Sequence, residues 1–174
     1  MKIAHDSECK PRPDLLSAIE KAVARSPAVM GTRFLPWVGQ KYDKSGAFGR
    51  KRVLVVGASH YEWCKKCAME KVERGEDTTC RCVIDGFQPD GIQHWRNIEY
   101  AFFGKPIDRT TREAFWQAIA YYNFVQRIVG FWAGGRKRAP SPTPAMWHEA
   151  RSLFPTVLRA LRPDLVVVLG SIVW

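Results

Sequence analysis

An α/β fold with a parallel sheet follows from two strand-like runs and the helical spacing between them. Arg52-Val53-Leu54-Val55-Val56-Gly57 and Leu165-Val166-Val167-Val168-Leu169-Gly170 are short apolar runs, rich in β-branched residues, and both end on glycine. Runs without polar alternation suit strands covered on both faces. Strands alternating with helical patterns imply parallel pairing.

Taken in order, Asp14 to Arg25 carries Leu15, Leu16, Ile19, Ala22 and Val23 at helical spacing, with Pro13 and Asp14 as a start. Residues 26–51 are loop-like, broken by prolines and glycines and anchored by Phe34-Leu35-Pro36-Trp37-Val38. The first strand follows over Arg52 to Val56 and runs into a tight glycine turn at Gly57. Ligands of open α/β sheets sit beyond the carboxyl ends of such strands, so Ser59, His60 and Tyr61 occupy the expected place of a site. Short helices are expected around Thr79 to Phe87 and Gln93 to Phe103. Thr110 and Glu113 fit a capping box that opens a helix carrying Ala114, Phe115, Ala118 and Ile119. Tyr121 to Val125 reads either as a strand or as an extended exit from that helix. Thr143-Pro144 starts another helix, with Met146, Ala150, Leu153, Phe154, Val157, Leu158 and Leu161 on one face; Pro155 is expected to kink or divide it. Pro163-Asp164 leads into the second strand. Gly170-Ser171 resembles a further strand-to-helix turn, followed by Ile172-Val173-Trp174. The expectation is a truncated domain; the alternative is a short tail packed on the core. Without a further strand, Leu165 to Leu169 forms a sheet edge that invites dimerisation.

The 174 residues suffice for one domain with a real core. Met1 to Lys10 has no apolar core of a signal peptide, and Ala114 to Trp132 is interrupted by Gln117, Asn123, Gln126 and Arg127, which suits no membrane span. A cytoplasmic protein is expected. Net charge is +10, from 27 basic and 17 acidic residues. That excess favours a polyanionic partner, DNA above all, and the basic clusters are Arg50-Lys51-Arg52, Arg109 to Arg112, and Arg136-Lys137-Arg138. The plainer reading is a solvated basic surface. Five cysteines without an export signal argue against a disulfide scaffold.

The order of parts resembles the uracil-DNA glycosylase superfamily, in particular its less characterised bacterial branch. The residues are Phe34-Leu35-Pro36-Trp37-Val38-Gly39 with Tyr42, then Val53 through Tyr61, then Tyr121-Tyr122-Asn123-Phe124, then Arg162 through Gly170. The resemblance implies a three-layer α/β/α fold around four parallel strands, the last of them missing here. It also implies an activity: flipping a damaged base out of DNA and hydrolysing its bond to the sugar. Two departures stand out. The branch typically has a glutamate where this sequence has Ala58, and the histidine-containing loop after the superfamily's last strand has no counterpart here.

N-glycosidic hydrolysis needs a positioned water, donors for the departing base and a lock on that base. His60 either positions water or donates to the base; alternatively it caps a helix. Asn123 offers the acceptor and donors that match the imide edge of uracil, or else it ends a helix. Gly57, Ala58, Ser59 and Tyr61 would line the pocket, Ser59 being equally suited to a helix cap. Trp63, Phe87 and Trp95 are the candidates for stacking on the base. Cys64-x2-Cys67 and Cys80-x-Cys82 form a candidate thiolate site for zinc, or for an iron–sulfur cluster, with four buried or free thiols as the alternative. G-x-G-x-x-G, G-x-x-x-x-G-K-[ST] and a nucleophile elbow are absent, which argues against ordinary nucleotide chemistry. Two further readings remain beside the glycosylase. One is a non-catalytic nucleic-acid-binding module with a structural metal; the other is an unrelated α/β hydrolase or nucleotide-binding protein.

Overall fold

The apolar run at Val53 forms the centre of the sheet. A computed structural model describes residues 34–44, 48–62, 75, 77–86, 93–131 and 140–170. Their elements are β1 (Trp37–Val38), β2 (Val53–Glu62), α1 (Thr78–Gly86), α2 (Gln93–Phe103), α3 (Arg109–Ala118), β3 (Ile119–Phe131), α4 (Pro144–Leu161) and β4 (Leu165–Val168). The expected helix at Asp14 to Arg25 and the tail from Ser171 lie outside the described residues.

The strand order is β1-β3-β2-β4. β2 is parallel to both β3 and β4, as expected of an α/β fold. The sheet is nevertheless mixed, because the short β1 joins β3 antiparallel. The Trp37 indole donates to the Trp116 carbonyl at 2.7 Å, and Gly39 N–H donates to the Ile119 carbonyl at 3.0 Å. A side chain at Gly39 would collide with the Gln117 backbone, so the close approach of this strand depends on glycine.

Two-residue alternation divides the core. Val53, Val55, Ile119 and Tyr121 pack with Val83, Trp95 and Phe115 of the three preceding helices. Leu54, Val56, Ala120 and Tyr122 pack with Ala150, Val157 and Leu161 of α4. Helices thus cover both faces of the sheet. β4 is the outer strand on its side, and Leu165 is 49% exposed there.

Several local expectations are corrected. β2 does not end at Gly57 but continues to Glu62. Gly57 is not among the positive-φ glycines of the described residues and lies inside the strand, so it makes no turn. Ser59 and His60 therefore lie inside a strand and cap no helix, and Asn123 lies inside β3 rather than at a helix end. The cap of α3 is Asp108, not Thr110; its carboxylate accepts from Thr111 N–H at 2.8 Å and from the Thr111 hydroxyl at 3.0 Å. Glu113 instead pairs with Arg109 one turn away. Thr143 caps α4 with Pro144 in the first turn, as the sequence predicts. Pro155 does not divide that helix. It removes one backbone donor, and the face carrying Ala150, Val157 and Leu161 holds both halves against the sheet. No helix among the described residues is long and apolar enough to cross a membrane.

Candidate functional site

A row of polar side chains lies buried near the carboxyl ends of β2 and β3. Tyr121 and Asn123 are two residues apart on β3 and share a face, toward α1 and α2. The Tyr121 hydroxyl donates to Asn123 Oδ1 at 2.9 Å. Asn123 Nδ2 lies 3.0 Å from His60 Nε2, and Thr79 Oγ1 of α1 lies 3.1 Å from the same nitrogen. His94 Nε2 of α2 approaches the Tyr121 hydroxyl at 3.4 Å. His60 and Asn123 are 5% and 4% exposed, so the pair meets inside the fold.

Two devices build this row. The first is Gly57, which pairs with Asn123 across the strands. A methyl group at Gly57 would overlap Asn123 Oδ1 and the Tyr121 hydroxyl. The glycine makes room for the polar groups rather than for a turn. The second is a register shift. Ser59 pairs with Val125, but His60 pairs with Ile128. Uninterrupted alternation from Gly57 would present residue 59, not 60, to this face. Extra residues on β3 interrupt the ladder just where the histidine is placed. Gln126, within the shift, accepts from Phe34 N–H at 2.8 Å and donates to the Asn123 carbonyl at 2.6 Å. That fixes Phe34, whose ring meets His60 edge-on at 4.9 Å.

Burial pushes the His60 pKa down to about 3, so the imidazole is neutral at physiological pH. An accepting Nε2 puts its proton on Nδ1, and Asn123 and Thr79 share the lone pair. Burial, and then the nearby Cys82, Asn123 and Tyr61 in that order of effect, leave the Tyr121 phenol far above its ordinary pKa, Asn123 alone pulling it down. Tyr121 is therefore a donor that stays protonated. Each Asn123 amide atom keeps one further hydrogen-bonding position after its contacts to Tyr121 and His60.

The other expected residues fare differently. Ser59 is buried on β2 with its hydroxyl unpartnered among the described residues, while Ala58 and Tyr61 are half-buried on the same strand. Trp95 is 4% exposed and packs edge-on against Tyr121 and Trp116, a core position. Trp63 and Phe87 lie outside the described residues, as do Arg136, Lys137, Arg138, Cys64 and Cys67. Cys80 and Cys82 both lie on α1, two residues apart, so their side chains leave the helix in different directions. The Cys80 thiol donates to the Pro36 carbonyl at 3.8 Å in the core, whereas Cys82 lies beside Tyr121. No group of three or more metal-ligating residues occurs among the described residues, which hold only these two of the four cysteines.

Arg50, Lys51 and Arg52 precede β2 and so lie at the amino end of the sheet, opposite His60. Arg52 is engaged: its guanidinium spans both oxygens of Asp164, at 3.1 and 3.2 Å. Thr79, Tyr121 and Phe34 belong to the polar row and its wall although sequence reasoning gave them no role there. The i, i+2 spacing of Tyr121 and Asn123 was the one available signal. No protein-family model matches this chain, and no curated protein matches it significantly.

Proposed function

We propose that this chain is a DNA glycosylase that hydrolyses the N-glycosidic bond of uracil or another deaminated base. The observation that carries this reading is the contact between neutral His60 and the Asn123 amide at the carboxyl end of the parallel pair β2 and β3. The remaining donor and acceptor of Asn123 suit the O4 and N3–H of a uracil edge. Phe34, held by Gln126, supplies a ring beside His60. Because His60 is a weak base, its role is to orient water rather than to strip a proton from it. A sugar cation needs little activation of its nucleophile. Water oxygen bonds to C1′, the C1′–N bond breaks with its electron pair passing to the base, and the water proton ends on the departing base. With His60 and Asn123 both buried, a flipped base reaches them only when the covering side chains move aside.

A base-release assay on a uracil-containing oligonucleotide tests this. Release is expected from the wild type, with losses on the order of 10²-fold or more for His60→Ala and Asn123→Ala. A folded protein that binds DNA and releases no base would overturn it. The second reading is a non-catalytic nucleic-acid module of the same fold, favoured by Ala58, whose methyl group can hold no water. Metal content of the purified protein tests the cysteine expectation, and bound zinc or iron that survives Cys80→Ser would place any ligands elsewhere.

A further inference from the structure

The amino end of the sheet gathers cations that outnumber its acids among the described residues. Three segments converge there. The turn at residues 40–44 reaches α4 through the Tyr42 hydroxyl, which donates to the Leu161 carbonyl at 3.3 Å. The entry to β2 is bound to the entry to β4, with Arg52 N–H donating to the Asp164 carboxylate at 2.7 Å and Asp164 N–H to the Arg52 carbonyl at 2.8 Å. Arg162 caps α4 beside them. These segments carry Lys41, Lys44, Arg50, Lys51 and Arg162, all exposed. Arg52 and Asp164 cancel each other, which leaves Asp43 as the one acid set against five cations. Among the described residues none of the five forms an ion pair. The described cations of α1 and of the β3 extension behave otherwise: Arg81 is tied to Asp77 and Arg127 to Glu149.

Helix ends do not account for the excess. Arg162 suits the negative end of α4, but Lys41, Lys44, Arg50 and Lys51 sit on turns and strand entries that have no dipole to offset. We propose that this surface is a second nucleic-acid contact, which grips the phosphate backbone away from the base-reading row. It rests on the nucleic-acid reading above and adds a place. Eight residues separate Arg52 from His60 along β2, about 26 Å at roughly 3.3 Å per residue. A phosphate held at the amino end therefore does not belong to the nucleotide read at His60. An anionic membrane is the weaker match. Among the described residues the one large exposed hydrophobic residue beside this cluster is Leu165, and none of the cations belongs to an amphipathic helix face.

The test is binding of uracil-free duplex DNA by fluorescence anisotropy across a potassium chloride series. Lys44→Gln/Arg50→Gln/Lys51→Gln is compared with Arg109→Gln/Arg127→Gln/Arg151→Gln, which removes the same charge elsewhere; circular dichroism verifies that both fold. The first variant should lower the slope of log K against log salt by about 2 to 3 and weaken binding at least about tenfold near 0.1 M salt, the second by less than about one slope unit. Equal effects from both variants would reduce the surface to net charge and overturn the proposal. So would an unchanged slope, or loss of binding to phosphatidylserine vesicles with DNA binding intact. Base release is read separately. Its absence alongside the slope change removes the glycosylase and leaves the surface; release without the slope change does the reverse.

Discussion

Tyr121 and Tyr122 are neighbours on β3, both essentially fully buried, and they face opposite layers. The Tyr121 hydroxyl orients Asn123 and meets His94, whereas the Tyr122 hydroxyl has no partner among the described residues. Burial raises both phenols above their usual pKa, so both remain protonated. The difference lies in what surrounds them. The face toward α1, α2 and α3 carries buried polar structure: besides the His60 row, Glu99 accepts from Arg112 at 2.9 Å and from the Trp116 indole at 3.0 Å. The face toward α4 is an apolar seam in which Tyr122 stacks on Phe154 at 6.2 Å. One face is specified by polar complementarity, the other by shape and apolar area.

Gly57→Ala should produce the largest effect, because it breaks the polar face at its closest approach. The new methyl group overlaps two polar atoms, and the Tyr121 ring cannot retreat from Trp95, packed on it at 5.0 Å. A cost of about 3 kcal/mol or more is expected by urea denaturation. A value within ~0.5 kcal/mol of wild type would mean that the row is loose and that the two faces differ less than described.

Acid should attack the polar face next. His60 has a pKa of about 3 in the fold and about 6.5 when unfolded, so below pH 6.5 the unfolded chain binds the extra proton. The contribution of neutral His60 is complete above pH 6.5 and is lost as pH falls toward 3, at about 1.4 kcal/mol per pH unit. Between pH 6.5 and 5 that amounts to about 2 kcal/mol. His60→Gln puts a neutral polar group in place of the imidazole and removes the titration, so the wild-type and variant curves should converge on acidification. Parallel curves would show that His60 is not held neutral by burial.

Tyr121→Phe is a smaller, more selective cut. It deletes the donor to Asn123 Oδ1 and leaves that acceptor buried, at a cost of about 1–2 kcal/mol. It should also weaken base release, since the amide loses the contact that orients it. Full activity with lowered stability would confine Tyr121 to a structural role.

Much of this contrast was legible in the sequence, for identifiable reasons. The strands at Val53 and Leu165 were plain because a continuous apolar run has one good solution in an α/β fold. His60 stood out by its place beyond the apolar run at Val53 and Asn123 as an amide among aromatic residues, and the structure joins them. What stayed hidden depends on distant partners. Thr79 comes from a helix 19 residues beyond His60, and Phe34 is placed by Gln126, 92 residues away. Gly57 was legible as a special position but misread, because glycine marks a turn more often than it makes space for a neighbour's side chain. The register shift after Ser59, which adjoins His60, leaves no trace in the hydrophobic pattern.

Tyr122→Phe is the smallest change and the sharpest control. Its hydroxyl is buried without a partner among the described residues, so it bears a desolvation cost that no hydrogen bond there offsets. Removing it should leave stability within about 0.5 kcal/mol of wild type or raise it slightly, since the stacking on Phe154 stays. Placed beside Tyr121→Phe, it makes the same chemical deletion one residue away at equal burial, so a difference between the two measures the polar face alone. Equal losses from both would mean that a water or an undescribed segment satisfies the Tyr122 hydroxyl, and that the α4 face is polar as well.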